Sequence, residues 1–282
     1  MRIAVNPTTI ESAPVFAAGA RLSGTVELIG GKIPLLLDGT VDAATNAETQ
    51  ALIYSLERPD LRIVLTVSEC AYRVMARRSR GIRRPIDLAG KTIGTTRHTS
   101  AHFYLVQLLR QAGLYPPEID IIDVPQSDMP AALADGRIDS LAIWEPIAEA
   151  AMTRLGSDAV SFQDGDLFRE RFNLNTTTAV LGDPRRRAAL VDFVRTVIAA
   201  ARDVGERPQS VWPLLAAKIN VPEATIARLW PQFRFPASLP ADLPDLLIDE
   251  EGWLAASQKR APRSAATVAG LIDRSVLAEA SD

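Results

Sequence analysis

A two-lobed α/β fold with mainly parallel sheets is what this sequence predicts, on three observations. The chain has 282 residues, more than one simple core holds comfortably. Between residues 3 and 144, short apolar runs alternate with helical stretches, the pattern of strands joined by helical crossovers. From Asp183 onward only helical patterns remain, which gives an all-helical C-terminal segment.

The elements follow in order. Residues 3–5 form a strand stopped by Asn6-Pro7, and 13–20 form a helix that tolerates Pro14 in its first turn. Residues 25–29 form a second strand closed by Gly30-Gly31, and 33–37 begin a short helix. A third strand over 41–45, a helix over 48–55 and a strongly apolar strand over 61–67 complete the first alternation. Residues 72–76 lead into a segment holding Arg77, Arg78, Arg80, Arg83 and Arg84. With no interleaved aromatics, it reads as a solvated hairpin or linker rather than an anion or nucleic-acid patch.

The next stretch carries strands over 92–95, 119–124 and 138–144. Helices over 100–112, stopped by Gly113, and over 129–135, stopped by Gly136, separate them. A helix from Pro146 to 155 follows, then strands over 158–162 and 176–181. Helices are expected over 184–201, 209–219, 222–230, 243–257 and 265–277.

Composition sets the outer bounds. A net charge of −3 gives no basic excess to neutralise phosphates, so nucleic acid is not an expected partner. One cysteine and two histidines make a structural zinc site an unexpected feature. No apolar run reaches the roughly 18 residues of a membrane span. Met1-Arg2 runs straight into the first strand, without a basic region, apolar core or cleavage site of an export signal. The expected location is extracytoplasmic if a signal was removed, and cytoplasmic if Met1 is the native start.

Four segments carry a family likeness: Asp-Leu-Ala-Gly-Lys-Thr-Ile-Gly at 87–94, Thr-Ser-Ala-His-Phe-Tyr-Leu at 99–105, Ala-Leu-Ala-Asp-Gly-Arg-Ile-Asp at 132–139 and Trp-Glu-Pro at 144–146. In this order and spacing the chain resembles the substrate-binding proteins of ABC importers for nitrate, taurine and alkanesulfonates. That family also includes the thiamine-pyrimidine-precursor proteins. The resemblance implies a type II periplasmic-binding-protein-like fold, with a discontinuous first lobe (1–88 and 180–282), a second lobe (89–179) and a ligand in the cleft between them. It also implies a small organic ion as ligand (a sulfonate, a carboxylate, or an amino-bearing or pyrimidine-like compound), a membrane permease as partner, a monomer and no cofactor. The cysteine-rich iron motif of the synthase branch is absent, so that branch's chemistry is not carried over.

In a parallel sheet, ligands bind beyond the carboxyl ends of the strands. That rule selects Asn6, Thr8 and Glu11, then Gly31, Asn46, Glu48, Ser68 and Glu69, then Arg97, His98, Thr99 and Ser100, and finally Trp144 and Glu145. Asn175, near the presumed second crossover, joins them as a hydrogen-bonding candidate. Thr99 or Ser100 can cap a helix whose N-terminus favours an anion, with Arg97 as a clamp. Glu11, Glu48, Glu69 and Glu145 either cap helices and face water or, if two of them line the cleft, combine with that anion site to favour a zwitterionic or amino-bearing ligand over bare nitrate. His98 and His102 lie four apart without an evident third metal ligand.

The rival expectation is a cytoplasmic enzyme on the same fold, desulfinase-like with Cys70 as nucleophile or like those of menaquinone biosynthesis. A cysteine nucleophile needs a lowered pKa and a base, which His98 or His102 would have to supply. A cytoplasmic ligand sensor is a third class, although no effector domain is visible.

Overall fold

The computed structural model describes residues 1–115 and 119–282. Its strands are β1 (Arg2–Val5), β2 (Glu27–Gly30), β3 (Ala43–Ala47), β4 (Leu61–Ala71), β5 (Arg73–Arg77), β6 (Thr92–Thr95), β7 (Asp120–Asp123), β8 (Ser140–Ile143), β9 (Ala159–Phe162), β10 (Arg169–Thr177) and β11 (Phe233–Arg234). They form one six-stranded and one five-stranded sheet, and the chain divides into two compact units. Unit 1 comprises Met1–Cys70 with Arg171–Asp282, and unit 2 comprises Ala71–Glu170.

The sheet of unit 1 runs in the order β11-β4-β10-β3-β1-β2. β1 pairs in parallel with β2 and β3, as helical crossovers require, whereas β10 pairs antiparallel to β3. Side chains alternate across a sheet, so its two faces differ in character. Ile3, Val5, Leu65, Val67, Phe172 and Leu174 face one apolar core. Two helices cover that core, Ala13–Arg21 and Pro184–Glu206. Asp183 starts the second of these because its Oδ1 accepts the N–H groups of Arg185 (2.9 Å) and Arg186 (3.1 Å), with Pro184 placed where no N–H is needed.

The opposite face is polar yet buried. Asn173 stands opposite Asn46, and Asn175 opposite Ala44. The Thr66 hydroxyl donates to Asn173 Oδ1 (2.8 Å), and Asn175 Nδ2 donates to the carbonyls of Ala44 and Asn173, both at 3.2 Å. These bonds are what allow amide side chains inside a core.

Unit 2 has the strand order β7-β6-β8-β5-β9. β6 is parallel to both β7 and β8, while β5 is antiparallel to β8 and β9. Its core gathers Met75, Met129, Leu133, Leu141 and Ile143. A second apolar group stacks Phe168 edge-on against Phe103, their ring centroids 5.3 Å apart.

Three expectations change. Of the arginine run expected as a solvated hairpin, Arg78, Arg80, Arg83 and Arg84 are exposed, but Arg77 ends β5, an interior strand of the second sheet, and is held like Arg73 in ion pairs. The strand expected over 176–181 starts earlier, as β10, and yields to the short helix Thr178–Gly182, whose Val180 N–H is accepted by Thr177 Oγ1 at 3.4 Å. The all-helical tail contains β11, where Phe233 pairs with Cys70 at the sheet edge. The units divide at 70/71 and 170/171, earlier than the expected 88/89 and 179/180, because β5 packs with β8 and β9.

Candidate functional site

In unit 1 the strand ends carry a chain of hydrogen bonds. Asn6 ends β1 as a turn organiser: its Oδ1 accepts from Thr8 N (3.3 Å) and Thr8 Oγ1 (3.0 Å), and its carbonyl accepts from Ser12 Oγ (2.9 Å). Thr8 itself is exposed, whereas Glu11 is buried in the turn that follows. Ser68 Oγ donates to the Glu11 carbonyl at 3.0 Å, which joins the ends of β1 and β4. The Gly31 N–H donates to Val5 O (3.0 Å), holding the chain after β2 against β1.

At the end of β3, Asn46 Oδ1 accepts the Ala47 N–H at 3.0 Å. Glu48 begins the helix Glu48–Tyr54 with its carboxyl fully buried. Glu69 lies 3.6 Å from Arg171 Nε, and Arg171 also reaches Asp242 at 2.8 Å. Asn175 sits in the buried polar face described above.

In unit 2 the loop after β6 turns sharply. His98 adopts φ 58°, and its N–H donates to His102 Nδ1 at 3.2 Å. Since that nitrogen accepts, a neutral His102 carries its proton on Nε2. Burial, then the neighbouring His98 and Arg97, push His102 down to about 4, so it is neutral at physiological pH.

Thr99 caps the helix Ser100–Gln111, accepting the His102 N–H at 3.4 Å and donating to Thr96 O at 2.7 Å. Ser100 is buried in the first turn. Thr99→Ala should cost about 1 kcal/mol in urea unfolding, and an undetectable loss would mean that the cap does not hold this helix. Arg97 turns back on its own sheet, its N–H donating to Asp123 Oδ1 (3.0 Å) and its guanidinium to Ile121 O.

Trp144 is half-buried against the apolar core of unit 2. Glu145, buried, accepts from Arg73 Nε (2.7 Å) and from the Glu149 N–H (2.9 Å). Three of the four acidic strand-end residues are therefore engaged within their own units: Glu48 with Glu250, Glu69 with Arg171, and Glu145 with Arg73. Cys70 is 1% exposed and pairs with Phe233 at the sheet edge. Among the described residues no group of three or more His, Cys, Asp or Glu is placed to hold a metal ion, and no helix is long and apolar enough to cross a membrane.

A family model described as NMT1/THI5 like matches residues 30–210. The chain belongs to this NMT1/THI5 like family. A putative aliphatic sulfonates-binding protein of Escherichia coli (strain K12) is 35% identical over 75 residues, which are 27% of this chain and 24% of that protein. The match thus spans about a quarter of the curated relative's length.

Two solved structures share the family member's fold. The ligand-binding component of an ABC-type import system from Staphylococcus aureus superposes with a TM-score of 0.81 at 15% identity, covering 99% of this chain and 98% of the other. DSZB, a desulfurization enzyme, crystallised as a mutant with biphenyl-2-sulfinic acid, superposes with a TM-score of 0.70 at 13% identity, covering 99% and 98%. The periplasmic-binding-protein fold is thus common to a binding protein and an enzyme, and the side chains decide between them.

Sequence reasoning did not single out Arg73, Arg171 and Glu250. Arg171 had a signal in the period-two run Arg169-Glu-Arg-Phe-Asn-Leu-Asn, which places Arg171, Asn173 and Asn175 on one strand face. Arg73 and Glu250 find their partners 72 and roughly 200 residues away along the chain, and no local pattern encodes that.

Proposed function

We propose that this chain is a solute-binding protein that captures a small organic anion, a sulfonate or carboxylate, and delivers it to the membrane permease of an ABC importer outside the cytoplasm. The observation that carries the ligand class is the internal engagement of Glu48, Glu69 and Glu145. With those three carboxyls committed to partners in their own units, only Glu11 of the four acidic strand-end residues still speaks for an amino-bearing ligand, and the anion reading is the better supported. The capped start of the helix Ser100–Gln111 supports an anion through its first-turn N–H groups and helix dipole. The local identity with a sulfonates-binding protein points the same way.

The test is a thermal-shift panel of alkanesulfonates, carboxylates, amines and pyrimidines on the purified chain. A sulfonate or carboxylate present at about 100 times its Kd should stabilise by roughly 2.7 kcal/mol, or on the order of 5–10 °C. Shifts by amines alone would reverse the charge assignment.

An enzyme acting through Cys70 is the second reading, favoured by the fold shared with DSZB. Sulfite release from an aryl sulfinate, abolished by Cys70→Ala, would replace the first reading. The buried position of Cys70 argues for binding without turnover.

A further inference from the structure

Glu48 opens the helix Glu48–Tyr54 directly after β3, and Glu250 sits within the helix Leu243–Ser257. Neither side chain has exposed surface, and the two carboxyl groups lie within side-chain hydrogen-bonding reach of each other. A carboxylate only accepts, so a hydrogen bond between two carboxyl groups requires a proton on one of them. Two adjacent buried negative charges would also repel strongly at low dielectric.

The surrounding charges do not remove this need. The Arg171 N–H donates to Glu48 Oε2 at 2.9 Å, but its guanidinium is engaged by Glu69 and Asp242. Glu251, the next residue along the helix, is held by Arg260 (2.6 Å) and Arg263 (2.8 Å). Glu48 Oε1 is buried without a hydrogen-bond donor from other residues. Both histidines of the chain, His98 and His102, belong to unit 2.

We propose that Glu48 and Glu250 form a one-proton site, an acid–carboxylate pair that fastens Arg171, the first residue of the chain returning to unit 1, to the helix Glu48–Tyr54. Burial first, against the hydrogen bonds from Glu250 and Arg171, pushes Glu48 up to about 7, so the proton is released across neutral pH. The folded value lies above the ordinary 4.5, so the folded protein holds a proton that the unfolded chain gives up. The associated stability is complete below that ordinary value and is lost as pH rises through about 7. As the shared proton leaves, the Glu48–Glu250 contact becomes repulsive, while the Arg171 N–H, which favours the ionised form of Glu48, keeps its acceptor.

Glu250→Gln tests this, because an amide N–H can donate to Glu48 without a shared proton. The wild type should lose several degrees of melting temperature, on the order of 5–10 °C, between about pH 5 and about pH 8, and the variant should lose much less. At about pH 8 the variant should melt higher than the wild type.

Infrared spectra of the full chain supply an independent readout. The carbonyl stretch of a buried protonated carboxyl should be present at about pH 6 and lost in both Glu250→Gln and Glu48→Gln. A wild type without that band, or a Glu250→Gln protein with the wild-type pH slope, would overturn the site. If Glu250→Gln does not fold, Glu48→Gln carries the same two measurements.

Discussion

Replacing Arg73 with alanine should destabilise unit 2 by roughly 3–5 kcal/mol, because it leaves a buried carboxylate without its counter-charge. Arg73 reaches Glu145 at 2.7 Å and Glu149 at 2.8 Å, and the three side chains are 12%, 3% and 15% exposed. Burial raises the Glu145 pKa, while Arg73 and the Glu149 N–H hold the carboxyl down. Without Arg73 it rises further. The penalty should then be largest at neutral pH and shrink as pH falls and Glu145 takes up a proton. Urea unfolding of R73A at neutral and acidic pH measures this, with E145Q in the R73A background expected to restore part of the loss. A loss that is small, or equal at both pH values, would show that the triad does not hold β5 to the helix Ile147–Leu155.

Glu251→Gln is the second large effect, roughly 3 kcal/mol lost from unit 1 at neutral pH. Its carboxylate is 1% exposed and accepts from Arg260 at 2.6 and 3.1 Å, and from Arg263 at 2.8 Å through both guanidinium and backbone. Arg263 in turn donates to Leu52 O (2.9 Å) and Ser55 Oγ (2.8 Å), so this carboxylate ties the helix Leu243–Ser257 to the helix Glu48–Tyr54. Burial opposes ionisation, but the arginine hydrogen bonds outweigh it and bring Glu251 down to about 2. A depressed carboxyl stabilises above its ordinary 4.5 and loses that contribution as pH falls toward about 2. Wild-type and Glu251→Gln unfolding curves should therefore converge in acid, and equal stability at neutral pH would sink the assignment.

The two carboxyl systems lie on neighbouring residues of one helix and titrate in opposite senses. Glu250 meets the Glu48 carboxyl, and the proposed pair shares a proton, whereas Glu251 meets two guanidinium groups and stays ionised. Unit 1 is thereby expected to be most stable at mildly acidic pH, before the first system ionises and after the second has done so.

Much of the fold was legible because hydrophobic periodicity is local. β1, β4, β6 and β8 appear as apolar runs, and the helix Ser100–Gln111 announces itself through Thr99 and the apolar spacing that follows. β10 was partly hidden because its alternation sets Phe172 and Leu174 against Arg171, Asn173 and Asn175. A buried amide face looks like a loop in sequence, since only its partners on β3 and β4 make burial tolerable. β5 was disguised in the same way, as Arg73 and Arg77 carry charges whose partners lie far along the chain.

For the site, the sequence located the strand ends but not the directions of their side chains. Glu48, Glu69 and Glu145 counted as potential ligand contacts, and only three-dimensional proximity revealed Glu250, Arg171 and Arg73 beside them. What the sequence by itself determined is the α/β alternation, the helical tail and the polar residues at strand ends, all set by local propensity and period. What only the tertiary structure decided is which charges are neutralised within each unit, because long-range contact and desolvation, not residue type, set whether a carboxyl is free to meet a ligand.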